Sequence, residues 1–400
     1  MKASVATCAA LATAVLALAT TSACSSSSNK SAPGAANSIK LGLILDPVVS
    51  GQGLQNSELV TAGVDAAVKA VNSAGGVGGR PVAVIKCDTK GNPNGAAACA
   101  RQLVSAKVAA TVATTSNFGA SIVAILAGAR IASLGPFATS QADLADKNGF
   151  SFEPAAITVV PGQPNLAASL GAKKISLVVT QVPQTAELAQ LAGLGLASYN
   201  LKIAKTVQVP AGAPDMSSYL AAAQAAGSDA ICVVLPPSDG VNFVKAAHAA
   251  GYKGILVSDA TTMLRDIHSG FASTVEGVYA VDLFKPASDT ADPAVAKMLE
   301  EIHGSGYQGV IDLTVEGAWA SVHLFAQAAK GLSTVDSAGI LAAMPKVTNF
   351  DIGIMPPVDF SKPIPMPGVH VFNPNVFYEQ VKNGVLVPLS GKFVNLFAAN

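Results

Sequence analysis

The residues with the most evident chemistry lie between positions 111 and 140, where two runs of β-branched and apolar residues each end in hydroxyls. The first, Thr111-Val112-Ala113-Thr114-Thr115-Ser116-Asn117-Phe118-Gly119, stops immediately before a helical pattern over residues 120 to 129. That spacing places Ser116 at a helix N-terminus. A hydroxyl there caps unpaired N–H groups, and those N–H groups with the helix dipole offer a seat for a carboxylate. The second run, Ile131-Ala132-Ser133-Leu134-Gly135-Pro136-Phe137-Ala138-Thr139-Ser140, repeats the arrangement. As adjacent parallel strands they would set Ser116 and Thr139 side by side at their carboxyl ends, where open α/β sheets bind ligands. Helix capping alone accounts equally for a hydroxyl at either place.

Other patterns exclude whole classes of chemistry. The sequence has no G-x-S-x-G elbow, no phosphate-binding loop, no G-x-G-x-x-G after a strand and no H-E-x-x-H, so an enzyme is not expected. His248, His268, His303, His323 and His370 are scattered singly, and the glycine run at residues 75–79 stops a helix without opening another. No metal or cofactor is implied. Lys plus Arg and Asp plus Glu both number 25, which leaves no basic field for nucleic acid.

The elements that must position these residues alternate. Four hundred residues, half of them apolar and 12% charged, suffice for two domains with their own cores. Residues 39–45 read as a buried strand and 59–74 as a helix, joined by a loop in which Gln52, Gln55 and Asn56 are polar. Strands near Val82, Thr111 and Ile131 alternate with helices near Ala96 and Ile122, the pattern of βαβ units in a parallel sheet. Phe150-Ser151-Phe152-Glu153-Pro154 reads as a crossover. A second series follows, with strands at 175–180, 203–209, 230–235 and 254–258 and helices at 186–199, 216–226, 240–250 and 261–268. Asp259 stands between strand and helix, an N-cap position. Helices at 293–304, 314–330 and 335–343 then return to the first half. A final hairpin of residues 369–378 and 380–387, turned at Lys382-Asn383-Gly384 or just before, enters the second.

The N-terminus reads as an export signal: Lys2, an apolar stretch over residues 5–19 too short to span a bilayer, then Thr21-Ser22-Ala23-Cys24. The last four resemble a lipobox with Cys24 lipidated, although Thr21 stands where Leu is usual; an ordinary cleaved signal is the alternative. Residues 25–37 are a polar tether. In an oxidising compartment, Cys87 at a strand end and Cys99 in the following helix can join, closing a short loop for roughly 2 to 3 kcal/mol. Cys232, in an apolar run, reads as an inert buried thiol.

Taken with the two hydroxyl-ended strands, three stretches carry a family resemblance: Ile39-Lys40-Leu41-Gly42-Leu43-Ile44, Val71-Asn72-Ser73-Ala74-Gly75-Gly76-Val77-Gly78-Gly79-Arg80, and Met355-Pro356-Pro357-Val358-Asp359-Phe360-Ser361-Lys362-Pro363. The chain resembles the type I periplasmic solute-binding proteins, specifically the branched-chain-amino-acid-binding family of ABC transporter receptors. The resemblance implies an α/β fold of two doubly wound parallel-sheet lobes joined by a three-strand hinge. Lobe I would be residues 38–156 plus 283–358, and lobe II residues 157–282 plus 359–400. It implies a monomeric receptor, lipid-anchored to the outer face of the cytoplasmic membrane, that captures a small polar solute (an amino acid or related amide or carboxylate) and presents it to an ABC permease. A sensor of the same fold signalling to a membrane partner is the alternative. By position in the family, Ser116 and Thr139 would hold a ligand carboxylate, with Thr115 a neighbouring candidate, Phe137 would offer a backbone carbonyl to an ammonium, with Ala138 beside it in the site, and Asp259 would pair with that ammonium if it is not simply a cap. The second lobe departs from the family, because its loops carry Gln184, Thr185 and Ser238 where amino-acid binders place aromatic residues.

Overall fold

The computed structural model describes residues 37–47, 57–138, 140–182 and 185–398. The leader, Cys24, the tether up to residue 36, and Gln52, Gln55, Asn56, Thr139 and Gln184 lie outside the described residues. Alternation begins at once with β1 (Ile39–Leu45), α1 (Ser57–Ser73), β2 (Val82–Asp88), α2 (Pro93–Ser105), β3 (Ala110–Val112), α3 (Gly119–Gly128), β4 (Ser133–Leu134), α4 (Gln141–Ala145) and β5 (Gly149–Phe150). These strands form one parallel sheet in the order β2-β1-β3-β4-β5. After α5 (Ala155–Ser169) come β6 (Ile175–Thr180), α6 (Thr185–Leu194), β7 (Ile203–Val209), α7 (Ser217–Gln224), β8 (Ala230–Val234), α8 (Pro237–Ala249), β9 (Ile255–Asp259), α9 (Ala260–Asp266) and β10 (Tyr279–Asp282). The chain then forms α10 (Pro293–Gly304), α11 (Leu313–Ala329) and α12 (Ser337–Ala343), and ends in β11 (Asn375–Lys382) and β12 (Val385–Asn395). The second sheet has the order β12-β11-β10-β9-β8-β6-β7, parallel from β7 to β10 and antiparallel in the final hairpin.

Each sheet is covered on both faces, as the unbroken apolar runs of its parallel strands require. In the first sheet α2 and α3 bury Ala96, Leu103, Ile122 and Leu126 on one side. On the other, α1 packs along α11, and α11 lies over β3 and β4. Gly63 sets that approach, since a Cβ there would sit 2.3 Å from the Val315 carbonyl. In the second sheet α7, α8 and α9 share one core with Val178, Ile231 and Val233. The facing layers of the two sheets merge into one apolar core that runs from Leu41 and Leu43 through Phe152 and Leu166 to Leu177.

Three local expectations shift. Helix α3 starts at Gly119 with Phe118 at the N-cap, so Ser116 precedes the cap; its Oγ accepts the Phe118 N–H at 3.1 Å. The hairpin strands lie several residues further on than the apolar pattern implied. Asn383 and Gly384, both left-handed at φ 53° and 74°, make the two-residue turn, and their N–H groups donate to Glu276. Helix α5 is absent from the sequence expectation because Pro161 and Pro164 interrupt it. Its environment compensates: Asn165 donates to the Gly195 carbonyl at 2.9 Å and accepts from the Tyr378 hydroxyl at 2.7 Å, which pins the helix to β11. The Cys87–Cys99 disulfide forms across 5.5 Å between Cα atoms, and Cys232 is a buried free thiol.

Where the two sheets' layers meet, the interior is acidic. Glu153, Asp282, Asp312, Glu316 and Glu379 are all buried. Asp312 caps α11 by accepting the Thr314 N–H at 2.9 Å, and its other oxygen takes both Nε and Nη2 of Arg265 at 3.1 and 3.0 Å. Arg265 belongs to α9 on the second sheet and Asp312 to α11 on the first, so this ion pair joins the two. Burial shifts the remaining acids towards their protonated forms. Burial first, then repulsion from Asp282, Asp312, Glu379 and Glu153, pushes the Glu316 carboxyl well above its ordinary value. Burial likewise raises Glu153 and Glu379, and it pushes Asp282 up to about 7 against the N–H bonds from Leu283 and Phe284.

Groups with raised folded-state values bind protons more tightly in the folded than in the unfolded chain, where carboxyls titrate near about 4. Their stabilisation is complete below that value and is lost as pH rises through the folded value. The melting temperature should therefore fall as pH is raised from about 5 to about 8, and Glu316→Gln should flatten the slope; a melting temperature that rises across this interval would refute the assignment. Arg265→Met leaves the Asp312 charge buried and unpaired, so urea unfolding should show a loss of about 3 kcal/mol or more, part of it regained in the double variant with Asp312→Asn.

Candidate functional site

The carboxyl ends of strands from both sheets open onto one cavity of about 340 Å³. From the first sheet's side come Phe137 and Ala138, just after β4, and Leu313 and Thr314 at the start of α11. From the second come Ala156, Val159, Val160 and Gln163 on α5, Thr180 ending β6, Leu188 on α6, Val234 ending β8 with Leu235 and Pro236 after it, Asp259 ending β9, and Thr261 on α9. A ligand there touches the switch-point ends of two open sheets, the location at which such sheets bind solutes. A larger hollow of about 470 Å³, lined by Glu58, Arg265 and residues 306–310, is more open to solvent and contains no strand ends.

Local chemistry explains how each edge is placed. Gly135 takes a left-handed φ of 56° to turn the chain after β4, and the Phe137 N–H then donates to the Thr114 carbonyl at 3.1 Å. On the opposite wall, residues 156, 159, 160 and 163 share one face of α5 at helical spacing. Asp259 is the N-cap of α9: one oxygen accepts the Thr262 N–H and the other its hydroxyl, each at 2.8 Å. Burial raises the Asp259 carboxyl against those two bonds and the attraction of Arg265. It caps the helix and also lines the cavity.

The residues expected at the ligand divide. Phe137, Ala138 and Asp259 line the cavity; Thr115, Ser116, Thr185 and Ser238 are not among its lining residues. Thr115 donates to the Ala113 carbonyl at 3.0 Å. Ser116 donates to Asp46 Oδ1 at 2.7 Å, Thr89 donates to the same oxygen at 2.6 Å, and the Asn117 N–H donates to Oδ2 at 2.8 Å. Donors of the kind that would seat a carboxylate thus surround one from the chain itself. The Thr185 hydroxyl bonds to the backbone of residues 180 and 182, and Ser238 is exposed on the first turn of α8.

Sequence reasoning missed the α5 wall, and with it Gln163. The signal was the spacing of Ala156, Val159, Val160 and Gln163, which two prolines obscured. Gln163 and Thr261 are 1% and 5% exposed, and neither Gln163 Oε1 nor Thr261 Oγ1 has a hydrogen-bond partner among the described residues. A buried polar atom left in that state is costly, and a ligand group is one way to satisfy it. Among the described residues no group of three or more His, Cys, Asp or Glu is arranged to hold a metal ion, and no helix is long and apolar enough to cross a membrane.

Known proteins share this architecture. The chain is 28% identical over 204 residues to the Leu/Ile/Val-binding protein homolog 7 of Brucella suis, an alignment covering 48% of this chain and 51% of that protein. It thus spans about half the length of the curated relatives it matches. An ABC transporter substrate-binding protein from Sphaerobacter thermophilus superposes with a TM-score of 0.75 at 19% identity, over 90% of this chain and 98% of that one. The branched-chain amino acid transporter substrate binding protein LivJ from Streptococcus pneumoniae, solved with isoleucine, gives 0.70 at 22% identity, over 87% and 97%. At these identities the superpositions speak to the fold, which is that of the type I periplasmic binding proteins. The sequence profile described as periplasmic binding protein matches residues 38–375, and with two switch-point sheets facing one cavity the chain belongs to the periplasmic binding protein family.

Proposed function

We propose that the protein is the extracytoplasmic receptor of an ABC importer, which captures a small solute between two lobes and presents it to a membrane permease. The observation that carries this reading is the cavity itself, walled from one side by residues after β4 and at the start of α11 and from the other by α5, β6, β8 and β9. In this reading the lobes are residues 38–156 plus 283–358 and residues 157–282 plus 359–400. The chain crosses between them near Glu153, Asp282 and the segment before β11. Closure brings the walls together and is stabilised by contacts from the ligand to both. Phe137, Ala138 and Asp259 contact the solute, an amino acid or a related amide or carboxylate. Cys24 carries a lipid anchor, residues 25–37 are the tether, and the mature protein acts as a monomer without catalysis.

A thermal-shift screen against amino acids, small amides, aliphatic and aromatic acids and sugars tests the reading. A solute that binds only the folded chain adds about 2.7 kcal/mol at a hundredfold excess over its dissociation constant, a shift of several degrees. The expected result is a rise with one chemical class, a more compact scattering profile in its presence, and recovery of the compound unchanged. A compound recovered chemically altered, or a panel with no rise at all, would count against a receptor.

A further inference from the structure

The cavity wall carries a charge pattern that narrows what it takes. Among the described residues its lining includes no Lys, Arg or His, and the one ionisable group there is Asp259. The hydroxyl and N–H donors at the end of β3 are already turned onto a carboxylate, because Thr89, Ser116 and the Asn117 N–H all donate to buried Asp46. An anionic ligand would therefore meet a carboxylate at Asp259, without a cation in the lining and with the nearby anion seat occupied by the chain itself. Closing low-dielectric walls around such a pair strengthens the repulsion.

On the same wall two buried polar atoms have no hydrogen-bond partner among the described residues. Gln163 Oε1, on α5, is an acceptor, and Thr261 Oγ1, on α9, can accept or donate. Their neighbours in the lining, Val159, Val160, Leu188, Val234 and Leu313, are apolar. A buried acceptor in a cavity that also holds a carboxylate calls for a donor, and the apolar lining calls for a hydrocarbon body.

Resting on the receptor reading above, we propose that the cleft selects a solute without a carboxylate: an apolar body bearing a nitrogen donor head, a primary carboxamide or an amine, held by Gln163, Thr261 and Asp259. Gln163 and Thr261 are then the specificity-determining residues of the second wall, and Asp46 excludes the α-carboxylate of an amino acid from the end of β3.

Isothermal titration of the purified protein with four compounds of one hydrocarbon body separates the possibilities: 4-methylpentanamide, leucinamide, 4-methylpentanoate and leucine. At least one of the two amides should bind tenfold or more tightly than the carboxylate that matches it. Gln163→Leu and Thr261→Val, each close in volume to the residue replaced, should erase that preference while leaving the melting temperature of the unliganded protein near its original value. Leucine or 4-methylpentanoate binding as tightly as its amide would overturn the proposed head group and leave the receptor standing. So would binding confined to sugars or aromatic acids. Silence from all four compounds and from the wider panel would remove the receptor reading and this inference together.

Discussion

The Asp312 carboxylate, fully shielded from solvent, is the point through which the two sheets are tied. One oxygen accepts the N–H groups that open α11, and the other takes the guanidinium of Arg265 from α9. A charge in that position is tolerable only while both sets of donors stay in place. Two placements follow. Helix α11 must begin where it does, which brings Leu313 and Thr314 to the cavity, and α9 must lie beside it, which sets Thr261 on the opposite wall. Burial raises the carboxyls of the neighbouring acids Glu153, Asp282, Glu316 and Glu379, while the only guanidinium seen in contact with the group, among the described residues, is spent on Asp312.

How much of this was legible in the sequence depended on period. The alternation of β-branched runs with helical patterns located β1, β6 to β9, α10 and α11 within a few residues, because each is long and one period dominates it. It failed at α5. Pro161 and Pro164 are helix breakers by local preference, yet the helix survives because its flanks are buried and Asn165 is anchored to Gly195 and Tyr378. Tertiary packing overrode propensity, and no window of sequence contains those partners.

The site was legible to a similar degree. Phe137, Ala138 and Asp259 sit at strand ends and could be found by asking where strands stop. Ser116 could not be resolved that way. Its hydroxyl faces Asp46, seventy positions earlier in the chain, and that pairing follows from β1 lying beside β3. The same adjacency places Asp46 where donors converge. Order along the chain therefore identified the neighbourhood, while sheet order decided which groups in it were already engaged.

The return of the chain to its first sheet sets the order in which the protein can assemble. Strands β1 to β5 are contiguous in sequence, but α11, which covers β3 and β4, is separated from them by the whole parallel part of the second sheet. Until residues 313–329 have arrived, one apolar face of the first sheet lacks its cover. The Cys87–Cys99 crosslink, only 12 positions apart, joins neighbours that meet early. Contacts between α1 and α11 span about 250 positions, so their closure carries the loop-closure entropy of most of the chain, and until it occurs Leu41, Leu43 and Val112 lack the α11 side of their core. A chain built this way needs its hydrophobic surface kept apart from other chains during the interval before its C-terminal third is available, which favours handling as an unfolded polypeptide over stepwise folding from the N-terminus.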